Sequence, residues 1–289
     1  MKVVGNLGLR QALDEFRHHA TVPFHEAAIN WFRNQGLAID WIPQNRWTEF
    51  KKSDTVFVFG SGPSVNRLTE KQWGIIRAHD SIGLNFSFLT RRPTTYFYLG
   101  YEPSSKKSIR EAFTPDIRRM FEPTLWFLPA KVLCRLVHPW TIPEFFPPNP
   151  KIALFDMPRG LSLEEDRPFR AEDFKRSLLY RGVMGMGLHL VDLIGYRKIV
   201  LLGIDLHTFE HFFDQEACMR TDRESYRGVM EKGKVFEAMI PRTNKYRTLD
   251  EYYYAVNELY FKPKAVEVFV GNPDNLLCPR IPAYPDFVP

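Results

Sequence analysis

The feature that most constrains the fold is a glycine-rich turn directly after an apolar run. Residues 56–59 read Val-Phe-Val-Phe, which is typical of a buried β-strand, and residues 60–64 read Gly-Ser-Gly-Pro-Ser. Glycine lacks a Cβ, so its backbone can approach a ligand closely, and proline suits the first turn of a helix. Backbone amides at a helix start attract anions. The pattern predicts a phosphate-binding turn between a strand and a helix, and therefore indicates a nucleotide site.

The turn departs from the two best-known nucleotide motifs. It lacks the third glycine of the dinucleotide fingerprint and the Gly-Lys-Ser/Thr ending of a P-loop. Dinucleotide folds also use an acid at the end of the second strand to hold a ribose, whereas the predicted strand 81–85 ends in Asn85. NAD is therefore disfavoured, and an ordinary tight turn is the structural alternative.

Size and composition predict a folded protein with a large core. The chain has 289 residues, of which 44% are hydrophobic and 15% aromatic. Its net charge is +5, but the basic residues are scattered among acids and form no Lys/Arg block of the kind that follows a nucleic-acid backbone. We expect mild attraction to anionic ligands or lipid surfaces, and no nucleic-acid partner.

Cysteine usage indicates a reducing compartment, and the hydropathy pattern gives no sign of a membrane-spanning segment. Cys134, Cys218 and Cys278 are far apart and form no CxxC pair. No apolar stretch approaches the roughly 20 residues that span a bilayer. We therefore expect a soluble cytoplasmic protein, with peripheral contact to the inner face of the membrane and homo-oligomer formation left open.

Strand and helix patterns alternate along the chain, which predicts an α/β fold. The expected architecture is a Rossmann-like, mainly parallel sheet with helices on both faces, plus a lid subdomain and an N-terminal helical extension. The predicted strands cover residues 56–59, 81–85, 95–99, 124–128, 152–155, 198–202 and 265–270. The predicted helices lie within residues 9–34, 68–79, 105–121, 182–194 and 249–260.

Four segments follow from this alternation. Residues 1–52 form the extension, 53–204 the nucleotide-binding domain, 205–247 the lid, and 248–289 a last helix and strand that complete the sheet. The lid is expected to cover the carboxyl edge of the sheet, where ligands bind in open α/β folds.

Several motifs in this order resemble the bacterial sialyltransferases of glycosyltransferase family 42. They are GSGPSV, GLNFSF, GVMGMGLHLVDLIGYRKIVLLGIDL and NPDNLL, and the resemblance covers roughly residues 55–277. Motility-associated flagellin glycosyltransferases and archaeal hydroxymethylpterin pyrophosphokinases share the pattern, so it indicates nucleotide binding more firmly than sugar transfer.

The sialyltransferase resemblance implies a CMP donor that carries an acidic nonulosonic sugar. A hydroxyl of a glycan or glycolipid would displace CMP with inversion, without a metal ion or further cofactor. The chain contains no Asp-x-Asp pair of the kind that commonly holds a divalent ion in diphosphate-sugar enzymes, which fits a monophosphate leaving group.

The same resemblance assigns residues to donor binding. Ser61 stands where the family carries an asparagine, and the segment that begins with Arg181 and Gly182 occupies the position of a Ser/Thr-Gly turn in the family. An arginine there can pair with a phosphate or a sugar carboxylate, or lie exposed before a helix. Asn85 either approaches the ribose or phosphate or caps its strand. The predicted donor-binding residues are Gly60, Ser61, Gly62, Pro63, Ser64, Asn85, Arg181 and Gly182.

Candidate catalytic residues lie mainly in the predicted lid. His211 occupies the position of a family tyrosine that assists phosphate departure, whereas the family's basic histidine is missing from residues 241–247. The base is then His211, His207 or Asp205. Arg242 and Tyr246 are candidates for stabilising the leaving phosphate. His207 and His211 are four residues apart, but without a third ligand they are disfavoured as a metal site.

Other functions are compatible with the same pattern. A pyrophosphokinase-like enzyme would use the nucleotide site with Mg²⁺. A catalytically degenerate protein would bind nucleotide or glycan without turnover, since the family histidine is absent. An oxidoreductase is the least favoured of these alternatives.

Overall fold

The computed structural model describes residues 29, 38–99, 114–129, 146–155, 169–176, 183–206, 212 and 248–288. Its centre is one sheet of eight strands, in which all neighbouring strands run parallel in the order β1-β6-β5-β4-β3-β2-β7-β8. The strands are β1 Asp40–Trp41, β2 Thr55–Phe59, β3 Asp80–Leu84, β4 Tyr96–Tyr98, β5 Leu125–Pro129, β6 Lys151–Phe155, β7 Lys198–Leu202 and β8 Glu267–Val270. The predicted Rossmann-like α/β fold is confirmed.

The strand order reverses beside β2. From β2 the chain adds β3, β4, β5 and β6 on one side, and then returns to place β7 and β8 on the other. Thr55 pairs with Lys198 and Phe59 with Leu202, so the carboxyl ends of β2 and β7 lie side by side. In open α/β sheets such a reversal opens a crevice in which ligands bind.

Both faces of β2 are buried, which explains its continuous apolar sequence. Val56 and Val58 belong to one hydrophobic cluster, and Phe57 and Phe59 belong to the other. Successive side chains of a strand point to opposite faces, so the two clusters lie on the two sides of the sheet.

Helices pack against both clusters. The described α-helices are α1 Glu70–Ala78, α2 Pro115–Met120, α3 Ala171–Arg176, α4 Met184–Ile194 and α5 Leu249–Val256. Trp73 and Ile76 of α1 join the Phe57 cluster, whereas α4 and α5 contribute to the Val56 cluster. A capping box of Thr69 and Gln72 starts α1, because it satisfies two backbone N–H groups at the helix end.

Four local features differ from the sequence predictions. Residues 40–41 pair with β6 as an edge strand, so the predicted extension 1–52 contains a strand of the sheet. The turn leads into a short 3-10 helix, Pro63–Arg67, rather than directly into an α-helix. Helix α3 lies where no helix was predicted. A π-helical turn, Asn257–Phe261, ends the last predicted helix.

Other predicted elements fall outside the described residues. These include most of the extension and nearly all of the lid, of which only Asp205, Leu206 and Phe212 are described. In the part of the chain that the structure describes, no helix is long and apolar enough to cross a membrane.

One buried histidine should make stability depend on pH. His189 of α4 is 9% exposed, and its Nδ1 has no hydrogen-bond partner among the described residues. Burial lowers its pKa to about 4, against the opposing effect of Asp192. The unfolded chain therefore takes up the proton at higher pH than the folded chain, so stability is complete above about pH 6.5 and falls as pH drops towards 4.

We predict that His189→Leu reduces this pH dependence, by up to roughly 3 kcal/mol between pH 7 and pH 4, since one pKa unit corresponds to about 1.4 kcal/mol. Urea unfolding of both proteins across this range measures the difference. At pH 8 His189 is neutral in both the folded and the unfolded chain, so the stability difference between the two proteins at that pH measures the effect of altered packing alone. Identical pH dependence in the two proteins would contradict the prediction.

Candidate functional site

The glycine turn continues the pairing of β2 with β7 beyond the strands. The Gly60 N–H donates to the Leu202 carbonyl at 2.7 Å, and the Gly62 N–H donates to the Gly203 carbonyl at 2.8 Å. A Cβ on Gly60 would collide with the Gly203 carbonyl oxygen. Glycine is therefore required at position 60 because another backbone lies against it.

A buried carboxylate occupies the inner side of this turn. Asp205 follows β7, is 6% exposed, and accepts a hydrogen bond from the Ser64 N–H through Oδ2 at 2.6 Å. A Cβ on Gly62 would lie 2.5 Å from the same Oδ2. The other oxygen, Oδ1, is buried without a hydrogen-bond partner among the described residues. A buried acceptor without a donor costs free energy, so Asp205 Oδ1 is an atom for which a hydrogen-bond donor is expected.

This arrangement differs from the sequence prediction that the turn amides face an anion. The N–H groups of Gly62 and Ser64 already donate to protein oxygens, and a carboxylate lies where the phosphate was expected. Two negative groups at one position repel each other. Binding of a donor by Gly60, Ser61, Gly62, Pro63 and Ser64 stays a prediction, but the Ser64 amide is not available to a phosphate in this structure.

Asn85 lies at the carboxyl end of β3, next to β2 in the sheet. Its φ of 49° is left-handed, a conformation that asparagine adopts more readily than most residues. It begins a 3-10 helix, Asn85–Thr90, that leads away from the strand. The ends of β3, β2 and β7 thus bring Asn85, the glycine turn and Asp205 to one edge of the sheet.

One residue of the predicted lid docks on the glycine turn. The Phe212 N–H donates to the Ser61 carbonyl at 2.9 Å, and the Phe212 carbonyl accepts from Asn66 Nδ2 at 2.8 Å. Its side chain is buried in the Phe57 cluster. The remaining candidates lie outside the described residues: His207, His211, Arg181, Gly182, Arg242 and Tyr246.

Asn275 is a positioning residue that the sequence predictions missed. Its Nδ2 donates to the Ile204 carbonyl at 2.9 Å, and its Oδ1 accepts from the Leu277 N–H at 2.9 Å. These bonds hold the loop that carries Asp205. The sequence signal was the Asn-Pro-Asp-Asn run at 272–275, which is typical of a side-chain turn, and the Asp274 N–H indeed donates to Asn272 Oδ1.

Within the described ranges, no group of three or more His, Cys, Asp or Glu side chains could hold a metal ion. The chemistry open to the Asp205 carboxylate is to accept hydrogen bonds. A hydroxyl or amino group of a ligand is the natural donor to its Oδ1.

Among solved structures, the chain is similar to the monofunctional α-2,3-sialyltransferase Cst-I from Campylobacter jejuni. The TM-score is 0.49, the sequence identity is 13%, and the match covers 81% of each chain. No protein-family model matches the chain, and no curated protein matches it in sequence. The fold described above follows from the strand order and pairing of this chain itself.

We predict that Gly62→Ala displaces the Asp205 carboxylate and destabilises the protein by about 1–3 kcal/mol, as expected for an overpacked site. Gly62 has a φ of −70°, so alanine adds a steric contact without backbone strain. Thermal and urea unfolding measure the change.

Gly74→Ala is the matched control, because a Cβ there meets only Arg77 Nη2, at 4.0 Å. Since Gly74 lies within α1, alanine should stabilise the protein by roughly 0.5–1 kcal/mol. Equal effects of the two substitutions would argue against a tight fit between Gly62 and Asp205.

Proposed function

We propose that the protein is a glycosyltransferase that moves an acidic nonulosonic sugar from a CMP donor to a hydroxyl of a glycan or glycolipid. The observation that carries this proposal is the meeting of Asn85, the glycine turn and Asp205 at the strand-order reversal. This is the position where α/β sheets of this kind bind nucleotides. The sequence resemblance to family 42 sialyltransferases supports the choice of donor.

In this proposal Asp205 holds the nucleoside rather than the phosphate. Its Oδ2 is already bonded to the Ser64 amide, so Oδ1 is the atom that can receive a ligand donor. A ribose hydroxyl supplies such a donor and, unlike a phosphate, is not repelled by a carboxylate. Asn85, with an amide that both donates and accepts, lies at the neighbouring strand end and can bind the same nucleoside.

The leaving phosphate is then directed towards the predicted lid. Arg242 and Tyr246 are proposed to stabilise the negative charge that develops on CMP, and Arg181 to pair with the phosphate or the sugar carboxylate. The docking of Phe212 on Ser61 supports a role for this segment at the glycine turn.

The proposed reaction is a single displacement with inversion. The acceptor oxygen forms a bond to the anomeric carbon, and the bond from that carbon to the CMP phosphate oxygen breaks, so CMP leaves with the electron pair. The acceptor proton passes to His211 or His207 as the general base. Neither a metal ion nor a further cofactor takes part.

Nucleotide binding tests the proposal directly. We expect CMP to raise the melting temperature equally with and without Mg²⁺, because a ligand that binds only the native state stabilises it. CDP, UDP, GDP, ADP and NAD should have smaller effects. Stabilisation only by ATP or ADP together with Mg²⁺ would instead indicate a pyrophosphokinase-like enzyme and would refute the proposal.

We predict that Asp205→Asn folds but binds CMP at least tenfold more weakly, since a hydrogen bond to a charged group contributes about 1.5–3 kcal/mol. The asparagine oxygen can still accept from the Ser64 N–H, whereas its amide cannot replace the Oδ1 carboxylate oxygen. Calorimetric titration with CMP measures the loss.

Asp205→Ala is the companion variant. It removes the acceptor of the Ser64 N–H as well, so it should also lower stability by about 1–3 kcal/mol. If Asp205→Asn bound CMP as tightly as the native protein, the carboxylate would have no role in holding the nucleoside.

A further inference from the structure

A second concave surface lies on the α1 side of the glycine turn. A cleft of about 170 Å³, here called the β7–β8 cleft, opens between the start of α1, the ends of β7 and β8, and the 3-10 helix Pro285–Phe287. The polar residues that line it are Ser64, Arg67, Gln72, Asn272 and Asn275. Ser64 connects it to the candidate site, because its N–H donates to Asp205.

Three backbone carbonyls around the β7–β8 cleft already accept hydrogen bonds from the protein. The carbonyls of Leu201, Leu202 and Gly203 accept hydrogen bonds from the N–H groups of Gly271, Gly60 and Gly62, at 2.7–2.8 Å. A ligand that donates to these three carbonyls would therefore have to share them with an existing hydrogen bond.

Two side chains at the cleft, in contrast, have hydrogen-bond donors to offer a ligand. Asn272 Oδ1 accepts from the Asp274 N–H at 3.1 Å, which identifies the other end of the amide as Nδ2. This Nδ2 is buried without a hydrogen-bond partner among the described residues. Arg67 adds a guanidinium with five N–H groups in a planar fork.

The positive charge of Arg67 forms only a weak ion pair. Its charged neighbour in the described part of the chain is Asp274, with Nη1 and Oδ2 3.7 Å apart and side-chain exposures of 60% and 74%. This separation exceeds hydrogen-bond length, and exposed ion pairs contribute at most about 1 kcal/mol.

We propose that the β7–β8 cleft is an oxyanion site for a phosphoryl or carboxylate group, bound by the Arg67 fork and the Asn272 amide. Pockets for whole drug-sized ligands measure about 300–1,000 Å³, so this smaller cleft fits one such group rather than a complete nucleotide. The site does not depend on sugar transfer, and its binding can be measured without a donor or acceptor.

Titration of ¹⁵N-labelled protein with inorganic phosphate or acetate tests the site, at constant ionic strength with sodium chloride as the reference salt. We expect saturable shifts of the Asn272 side-chain and Gly271 backbone signals. Arg67→Gln should weaken binding about tenfold, the loss of one charged bidentate contact. Asp274→Asn should tighten binding about two- to threefold, because it removes the competing partner of Arg67.

Arg77→Gln is the matched control. Arg77 is 56% exposed and lies 3.9 Å from Glu70, so it resembles Arg67 in exposure and pairing but does not line the cleft. Its substitution should leave binding unchanged.

Asn272→Asp provides a second test, because its oxygen can still accept from the Asp274 N–H while its charge repels an anion. Dispersed spectra will show that each variant folds. Equal weakening by Arg67→Gln and Arg77→Gln, unchanged binding in Asn272→Asp, or shifts that never saturate would overturn the proposal.

Discussion

The close approach of β2 and β7 at their carboxyl ends determines the rest of this structure. Gly60 and Gly62 continue the hydrogen bonds between the two strands past their last residues, and this places the start of one loop directly against the other. Asp205 can reach the Ser64 amide only because position 62 has no side chain. The candidate site and the β7–β8 cleft both border this contact.

The main strands and helices could be predicted because each carries a strong local signal. Strands such as β2 and β7 are short apolar runs, as buried parallel strands are, and α1 begins at a capping box. Residues 40–41 are too few to show a strand period, so β1 could be recognised only from its pairing with β6. Residues 63–67 carry a helix start signal that does not distinguish a 3-10 turn from an α-helix.

That the glycine turn, Asn85 and Asp205 lie at one edge of the sheet could also be predicted, since each follows a recognisable strand. The contact between Ser64 and Asp205 could not be predicted, because the two residues are 141 positions apart in the sequence. Sequence alone gives no measure of whether an amide faces a ligand or a side chain from another loop. The hydrogen bond by which Asn275 holds the Asp205 loop could not be predicted for the same reason, because its partner, Ile204, is 71 residues away.

The pairing of β2 with strands on both sides has a consequence for synthesis on the ribosome. β2 gains its first neighbour, β3, soon after it emerges, but Thr55–Phe59 keeps one unpaired edge until Lys198–Leu202 has been made. An exposed apolar edge can pair with another nascent chain. Contacts so distant in sequence also form slowly. The central place of β2 in the sheet therefore leaves one of its apolar edges open for the time that the ribosome needs to add the residues up to β7.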